Sequence, residues 1–249
     1  MREVVIRPLP GLPEVGEGAD IAEMIVEAAR RSKFRLENGD VVVVKQKIVS
    51  KSEGRLVRIS GVVPGKRAKA LAAEQGKDPR LVELILKESR RVVRAGHGVI
   101  ITETRQGLVC ANAGIDQSNV GEGLVALLPM DADASARRIR RRLKELTDRK
   151  LAVVVTDTFG RPWRKGQTDV AIGCSGIEPL LSYAGRKDSF GYELRVTEPA
   201  VVDEIAGAVE LAIGKLGRMP VAVVRGIEYR EGDAGVGSML MEKTRDLFR

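Results

Sequence analysis

Unbroken apolar runs dominate the hydrophobic pattern of this chain. Residues 41–44, 151–155 and 221–224 read VVVV, LAVVV and VAVV with no polar residue between. Runs of that length predict strands buried on both faces. Residues 99–104 alternate weakly. With 108–111, across a Gln106-Gly107 turn, they read as a hairpin. Residues 4–7 predict a short strand, after which Pro8, Pro10, Gly11 and Pro13 impose an extended segment. Asn38-Gly39-Asp40 reads as a turn.

Helical spacing appears between these runs. Ile21, Met24, Ile25 and Ala28 recur at it up to about Arg31, behind Asp20 as N-cap with Glu23 as capping-box partner. Helices are also predicted over 67–75, 79–91, 136–147 and 200–213, and a terminal helix after the Gly-rich tail 230–238. The order lacks a steady βαβ alternation. It predicts an α+β fold of mixed sheets with flanking helices rather than a doubly wound one. One domain spanning residues 1–249 is expected, with room for two interleaved subdomains.

Composition narrows the class. Hydrophobic residues make up 43% and charged residues 31%, which predicts a soluble globular protein. Aromatics are only 3%, so Val, Leu, Ile and Ala must build the core, and base stacking on aromatics is disfavoured. A net charge of +8 favours anionic partners such as nucleotides, acidic metabolites or nucleic acid. Arg137, Arg138, Arg140, Arg141 and Arg142 lie around Ile139, Leu143 and Leu146 in one predicted helix; they suit either a solvated face or a nucleic-acid contact. Cys110 and Cys174 form no metal-type pair and no disulfide framework, which points to a reducing, cytoplasmic setting. No signal-peptide core or transmembrane run appears, so no membrane is expected.

The chemistry gathers just past the apolar runs. After residues 151–155, Thr156, Asp157 and Thr158 place three oxygen-bearing side chains where the strand should end. Gly160 and Pro162 should then break the chain into a loop carrying Arg161, Arg164, Lys165 and the only tryptophan, Trp163. A carboxylate beside a basic loop suits a hard cation with an anionic ligand such as a polyphosphate. It equally suits a strand, an Asx-type turn and a solvated loop. Asp116, in Asn112-Ala113-Gly114-Ile115-Asp116-Gln117-Ser118-Asn119, has a similar setting. Two such strands side by side would converge two carboxylates, enough to begin a Mg²⁺ or Mn²⁺ site. Lys47 and Lys51, four apart after residues 41–44, would share one face of a helical turn, as a phosphate grip or as an exposed basic turn. The single histidine, His97, stands between glycines and reads as a turn residue. Gly61-Val62-Val63-Pro64-Gly65-Lys66-Arg67 fails as a P-loop, and neither a zinc spacing nor a nucleophile elbow is present.

Taken together, Gly11-Leu12-Pro13, Lys47-Ile48-Val49-Ser50-Lys51-Ser52-Glu53-Gly54-Arg55, the NAGIDQSNV stretch from Asn112, TDTFGR from Thr156 and Gly185-Arg186-Lys187-Asp188 resemble the coenzyme F420-0:L-glutamate ligase family over nearly the whole chain. The resemblance implies a GTP-dependent ligase that adds L-glutamate to the lactyl phosphate side of F420-0, then a further γ-linked glutamate, through an acyl phosphate. It implies Mn²⁺ or Mg²⁺, stimulation by K⁺ and a homodimer. Carried over by position, Asp116, Asp157 and Thr158 would hold the metal. Leu12, Pro13, Glu14, Val15, Gln46, Lys47, Lys51 and Asn119 would hold GTP. Segment 211–218 matches a nucleotide-contacting loop more loosely, implying Gly214, Lys215, Leu216 and Gly217 at GTP and the Ile213 backbone at the metal. Arg161 and Arg164 are expected at the anionic substrate, and no covalent catalytic nucleophile is expected. Some bacterial relatives fuse a flavin-binding domain; a chain of 249 residues is expected to be a stand-alone ligase. The alternatives are another nucleotide-dependent amide ligase on the same scaffold and a basic nucleic-acid-binding protein.

Overall fold

The computed structural model describes residues 3–247. Its central sheet contains β1 (Val5–Pro8), β2 (Val41–Lys45), β8 (Ala152–Arg161), β9 (Arg164–Ser175) and β10 (Val221–Arg225) in the order β1-β10-β2-β8-β9. The sheet is mixed: β2 and β8 run parallel, and the other pairs are antiparallel. The runs VVVV and VAVV, and the five residues from Ala152, are buried throughout, as expected for strands covered on both faces. Helix α5 (Ala132–Thr147) packs on β8 and β9 and against α1 (Ile21–Arg31), while α6 (Val201–Ile213) lies across β9, β10 and β1. Val, Ile, Leu and Ala fill the core between these layers, as the low aromatic content required.

A smaller assembly is inserted between β2 and β8. Helix α2 (Gln46–Ser52) follows β2 directly, and β3 (Leu56–Arg58) pairs with β7 (Leu124–Ala126). Strands β4 (Ser89–Gly96), β5 (Val99–Thr104) and β6 (Val109–Ala111) form a second sheet. Helices α3 (Lys66–Gln75) and α4 (Pro79–Lys87) pack beside it over a separate cluster of Ala68, Ala72, Val82, Ile85 and Ile100. The architecture is α+β with mixed sheets.

Three expectations need correction. The helix expected over 79–91 stops at Lys87, because β5 offers residues 89–96 an antiparallel ladder and Arg91 pairs with Glu103 across it at 2.8 Å. The loop expected after Thr158 is strand. β8 continues to Arg161, because β9 pairs with it throughout, and the chain reverses only at Pro162 and Trp163. Proline has no N–H to donate, so it sits at the turn, where the ladder needs none. Lastly, among the described residues the tail contains a 3₁₀ turn at Val236–Met239 and a turn at 243–245 but no terminal helix.

The N-cap of α1 joins two helices. Asp20 Oδ1 accepts the Glu23 amide at 3.1 Å, and Oδ2 accepts Arg142 Nε of α5 at 2.8 Å. The Glu23 carboxylate pairs with Arg142 rather than closing a capping box. Burial raises the Asp20 pKa, but Arg142 and the Glu23 amide outweigh it, and the net shift is downward. Asp20→Ala is expected to destabilise the fold by about 1 kcal/mol through the lost cap. A depressed carboxyl pKa contributes stability that is present above the unfolded value and lost as pH falls through the folded one. The difference in Tm between wild type and variant should therefore close as melts are taken from neutral pH into the acid range. A constant difference would show that the cap charge contributes nothing.

Candidate functional site

Asp157 and Thr158 are consecutive on β8, so their side chains leave the sheet on opposite faces. Thr158 stands in register with Asp169 of β9, and its hydroxyl donates to Asp169 Oδ1 at 2.7 Å. Asp157 turns toward the inserted assembly. Burial pushes its pKa up to about 7; the neighbouring Asp116 and Asp169 charges add to this, while the Thr158 amide and Lys47 oppose it. Asp116 is pinned beside β7 by reciprocal backbone hydrogen bonds with Ala126. Its Oδ2 meets Lys47 Nζ at 2.7 Å, and its Oδ1 accepts the Ser118 amide at 2.7 Å. Burial raises the Asp116 pKa, but Lys47 and Ser118 bring it below the ordinary carboxylate value. The fold thus brings Asp116 and Asp157 into one electrostatic neighbourhood, one ionised and one shifted toward neutral pH.

The residues expected at the nucleotide fall into two groups. In the first, α2 presents Lys47 to Asp116 and Ser118, and presents Lys51 to Glu14. Leu12 is half-buried, Pro13 and Glu14 are exposed, and Val15 is buried. Asn119, exposed with φ 55°, follows Ser118. Gln46 is only 2% exposed and accepts a hydrogen bond from Ser50 at 2.8 Å, so its side chain serves the interior of α2. In the second, Gly214 ends α6, and the Lys215 ammonium reaches Thr158 Oγ1 and Glu210. The Ile213 side chain is buried, and its carbonyl oxygen would lie 2.7 Å from a Cβ at position 217, so Gly217 permits the close turn. Leu216 projects outward.

Arg161 and Arg164 oppose each other at the tip of the β8–β9 hairpin, both exposed. Arg161 lies four residues beyond Asp157 on an extended strand, about 13 Å away.

Sequence reading missed Lys45, Asp169 and Glu210. Lys45 ends β2 beside Thr156, and its ammonium bonds both Asp169 and Glu210. A lysine closing an all-valine strand, and an aspartate opening the apolar run Val170-Ala171-Ile172, were the available signals. His97 is a turn residue with φ 49°. The arginine helix spends much of its charge within the fold: Arg138 pairs with Glu53, Arg140 donates to the Leu151 carbonyl at 2.9 Å, and Arg142 pairs with Asp20, Glu23 and Glu145. Both cysteines are free and buried. No helix among the described residues is long and apolar enough to cross a membrane.

Among the described residues, no three His, Cys, Asp or Glu side chains stand at preformed metal-ligand geometry. The donor chemistry nonetheless suits a hard divalent cation, since Asp116 and Asp157 are oxygen donors whose charges disfavour each other, offset in part by Lys47. Oxygen donors near lysines suit chemistry on an anionic, phosphate-bearing ligand. Residues 11–226 match the F420-0:Gamma-glutamyl ligase family, and the chain belongs to it. It is similar to the coenzyme F420:L-glutamate ligase of Methanothermobacter thermautotrophicus, 43% identical over 242 residues that cover 96% of each chain. The Methanopyrus kandleri protein of the same name is 44% identical over 249 residues, 98% of this chain and 97% of its own. That of Archaeoglobus fulgidus is 44% identical over 237 residues, 95% of this chain and 91% of its own.

Proposed function

We propose that this chain is a GTP-dependent ligase that joins L-glutamate to F420-0 and then adds a further γ-linked glutamate. This reading is supported by the charge coupling of Asp157 to Asp116, by Lys47 paired with Asp116 and by Lys215 bonded to the adjacent Thr158. A carboxylate is a poor electrophile. Transfer of the GTP γ-phosphoryl group makes it an acyl phosphate, and attack by the glutamate amine then expels phosphate. That chemistry rests on positioning and on charge stabilisation, without a protein nucleophile.

Lys47, Lys51 and Lys215 would grip the phosphates, with residues 12–15 and Asn119 alongside. Asp116 and Asp157, together with oxygens of Thr158 and Ile213, would hold Mn²⁺ or Mg²⁺. Such an ion supplies charge neutralisation to the transferring phosphoryl group. K⁺ stimulation belongs to the same proposal. So does a homodimer. In such a dimer Arg161 and Arg164, at the hairpin tip beside Trp163, would meet an anionic substrate in company with the partner.

Mass spectrometry of F420-0 incubated with the protein, GTP, Mn²⁺ and L-glutamate is expected to reveal products heavier by glutamyl units, absent when GTP is omitted. Unchanged F420-0 with folded, Mn²⁺-binding protein would overturn the substrate assignment and leave a different amide ligase on this scaffold.

A further inference from the structure

Asp169 has no role in the reading above, yet it is the most deeply buried charge beside the site. Its side chain is 0% exposed. Thr158 Oγ1 donates to its Oδ1 at 2.7 Å, Lys45 binds its Oδ2, and the Lys215 ammonium lies 3.6 Å from Oδ1. Glu210 completes the group by taking Lys45 and, at 3.1 Å, Lys215. Two carboxylates and two ammonium groups make a neutral quartet drawn from β2, β9, α6 and the loop after α6. Burying a carboxylate this deeply is costly without such partners.

The four members differ in freedom. Lys45 and Glu210 are about one-fifth exposed and stand on regular elements, whereas the Lys215 side chain is 57% exposed and stands on a loop. Lys215 can therefore leave without breaking a helix or strand. Asp169 itself is sealed from any ligand.

We propose that Asp169 is a positioning residue. From inside β9 it fixes the Thr158 hydroxyl and holds Lys215 down, closing loop 214–218 over the outer end of β8. Its effect on catalysis rests on the ligase reading; its effect on the loop does not. Asp169 acts through Thr158 and Lys215 and touches no substrate.

Trypsin reads the loop directly, because Lys215 and Arg218 are both exposed cleavage sites within it. Asp169→Asn keeps the side-chain shape and removes the charge. In ligand-free protein it is expected to speed cleavage after Arg218 about ten-fold, while other sites keep their wild-type rates. Lys215→Gln should do the same with the buried Asp169–Lys45 pair intact, and Lys215→Arg should restore protection. A merely structural role would accelerate cleavage at every site together. In the ligase assay each single variant should raise the KM for GTP, and the double variant should be no worse than either single. Wild-type cleavage after Arg218 in Lys215→Gln, or KM effects that add independently, would overturn the proposal. Should Asp169→Asn fail to fold, Lys215→Gln and Lys215→Arg decide it alone. Should the wild type fail to ligate glutamate, the functional reading falls, and the cleavage pattern still decides the loop.

Discussion

Asp157→Asn is expected to lower kcat for glutamyl transfer by at least about 100-fold with the fold intact. The variant keeps the size of the side chain and its place on β8 opposite Val170, but it removes the charge that faces Asp116. A divalent cation drawn to two carboxylates would keep only one, so calorimetric Mn²⁺ affinity should fall alongside kcat. Thermal stability should move the other way or not at all. Burial and the neighbouring Asp116 and Asp169 charges disfavour ionised Asp157, and a neutral amide relieves that penalty. Lost turnover without lost stability is the signature of a residue held for chemistry rather than for folding. Near wild-type turnover in a folded variant would remove Asp157 from the mechanism, and the metal proposal with it.

The second large effect lies at the far end of the sheet. Arg225, the last residue of β10, donates through Nε and Nη2 to the two carboxylate oxygens of Asp40 at 2.7 and 2.8 Å. It also donates to the Arg35 carbonyl at 2.8 Å and to Glu37 at 2.9 Å, and it lies over the Phe34 ring. Asp40 is 1% exposed. Arg225→Ala would leave this carboxylate buried without its cation, which costs about 3 kcal/mol. The urea midpoint should fall accordingly. Adding Asp40→Ala should recover part of the loss, because the stranded charge goes too. A single-variant loss below about 0.5 kcal/mol, typical of a surface pair, would show that water reaches Asp40 once the guanidinium is gone.

The sequence by itself determined the local and the statistical features of this protein. Its valine runs could satisfy their apolar side chains only as strands covered on both faces, and residues 41–44 and 221–224 are such strands. Asp20 caps α1 because a short carboxylate reaches the amide three residues on, a relation that needs no tertiary partner. The motifs around Asp116 and Asp157 carried the family resemblance because they are contiguous in the chain. The tertiary structure decided everything that depends on a distant partner. Residues 156–161 remain strand because β9 runs beside them, and 88–91 leave the helix because β5 is there to pair. Asp116 comes within electrostatic reach of Asp157 only because the inserted assembly folds back on β8. Asp169 and Glu210 read as ordinary acids until Lys45, more than a hundred residues away in the chain, is placed between them. Backbone propensity and capping act over three or four residues, but pairing ladders and charge act through space, and only the closed fold sets those distances.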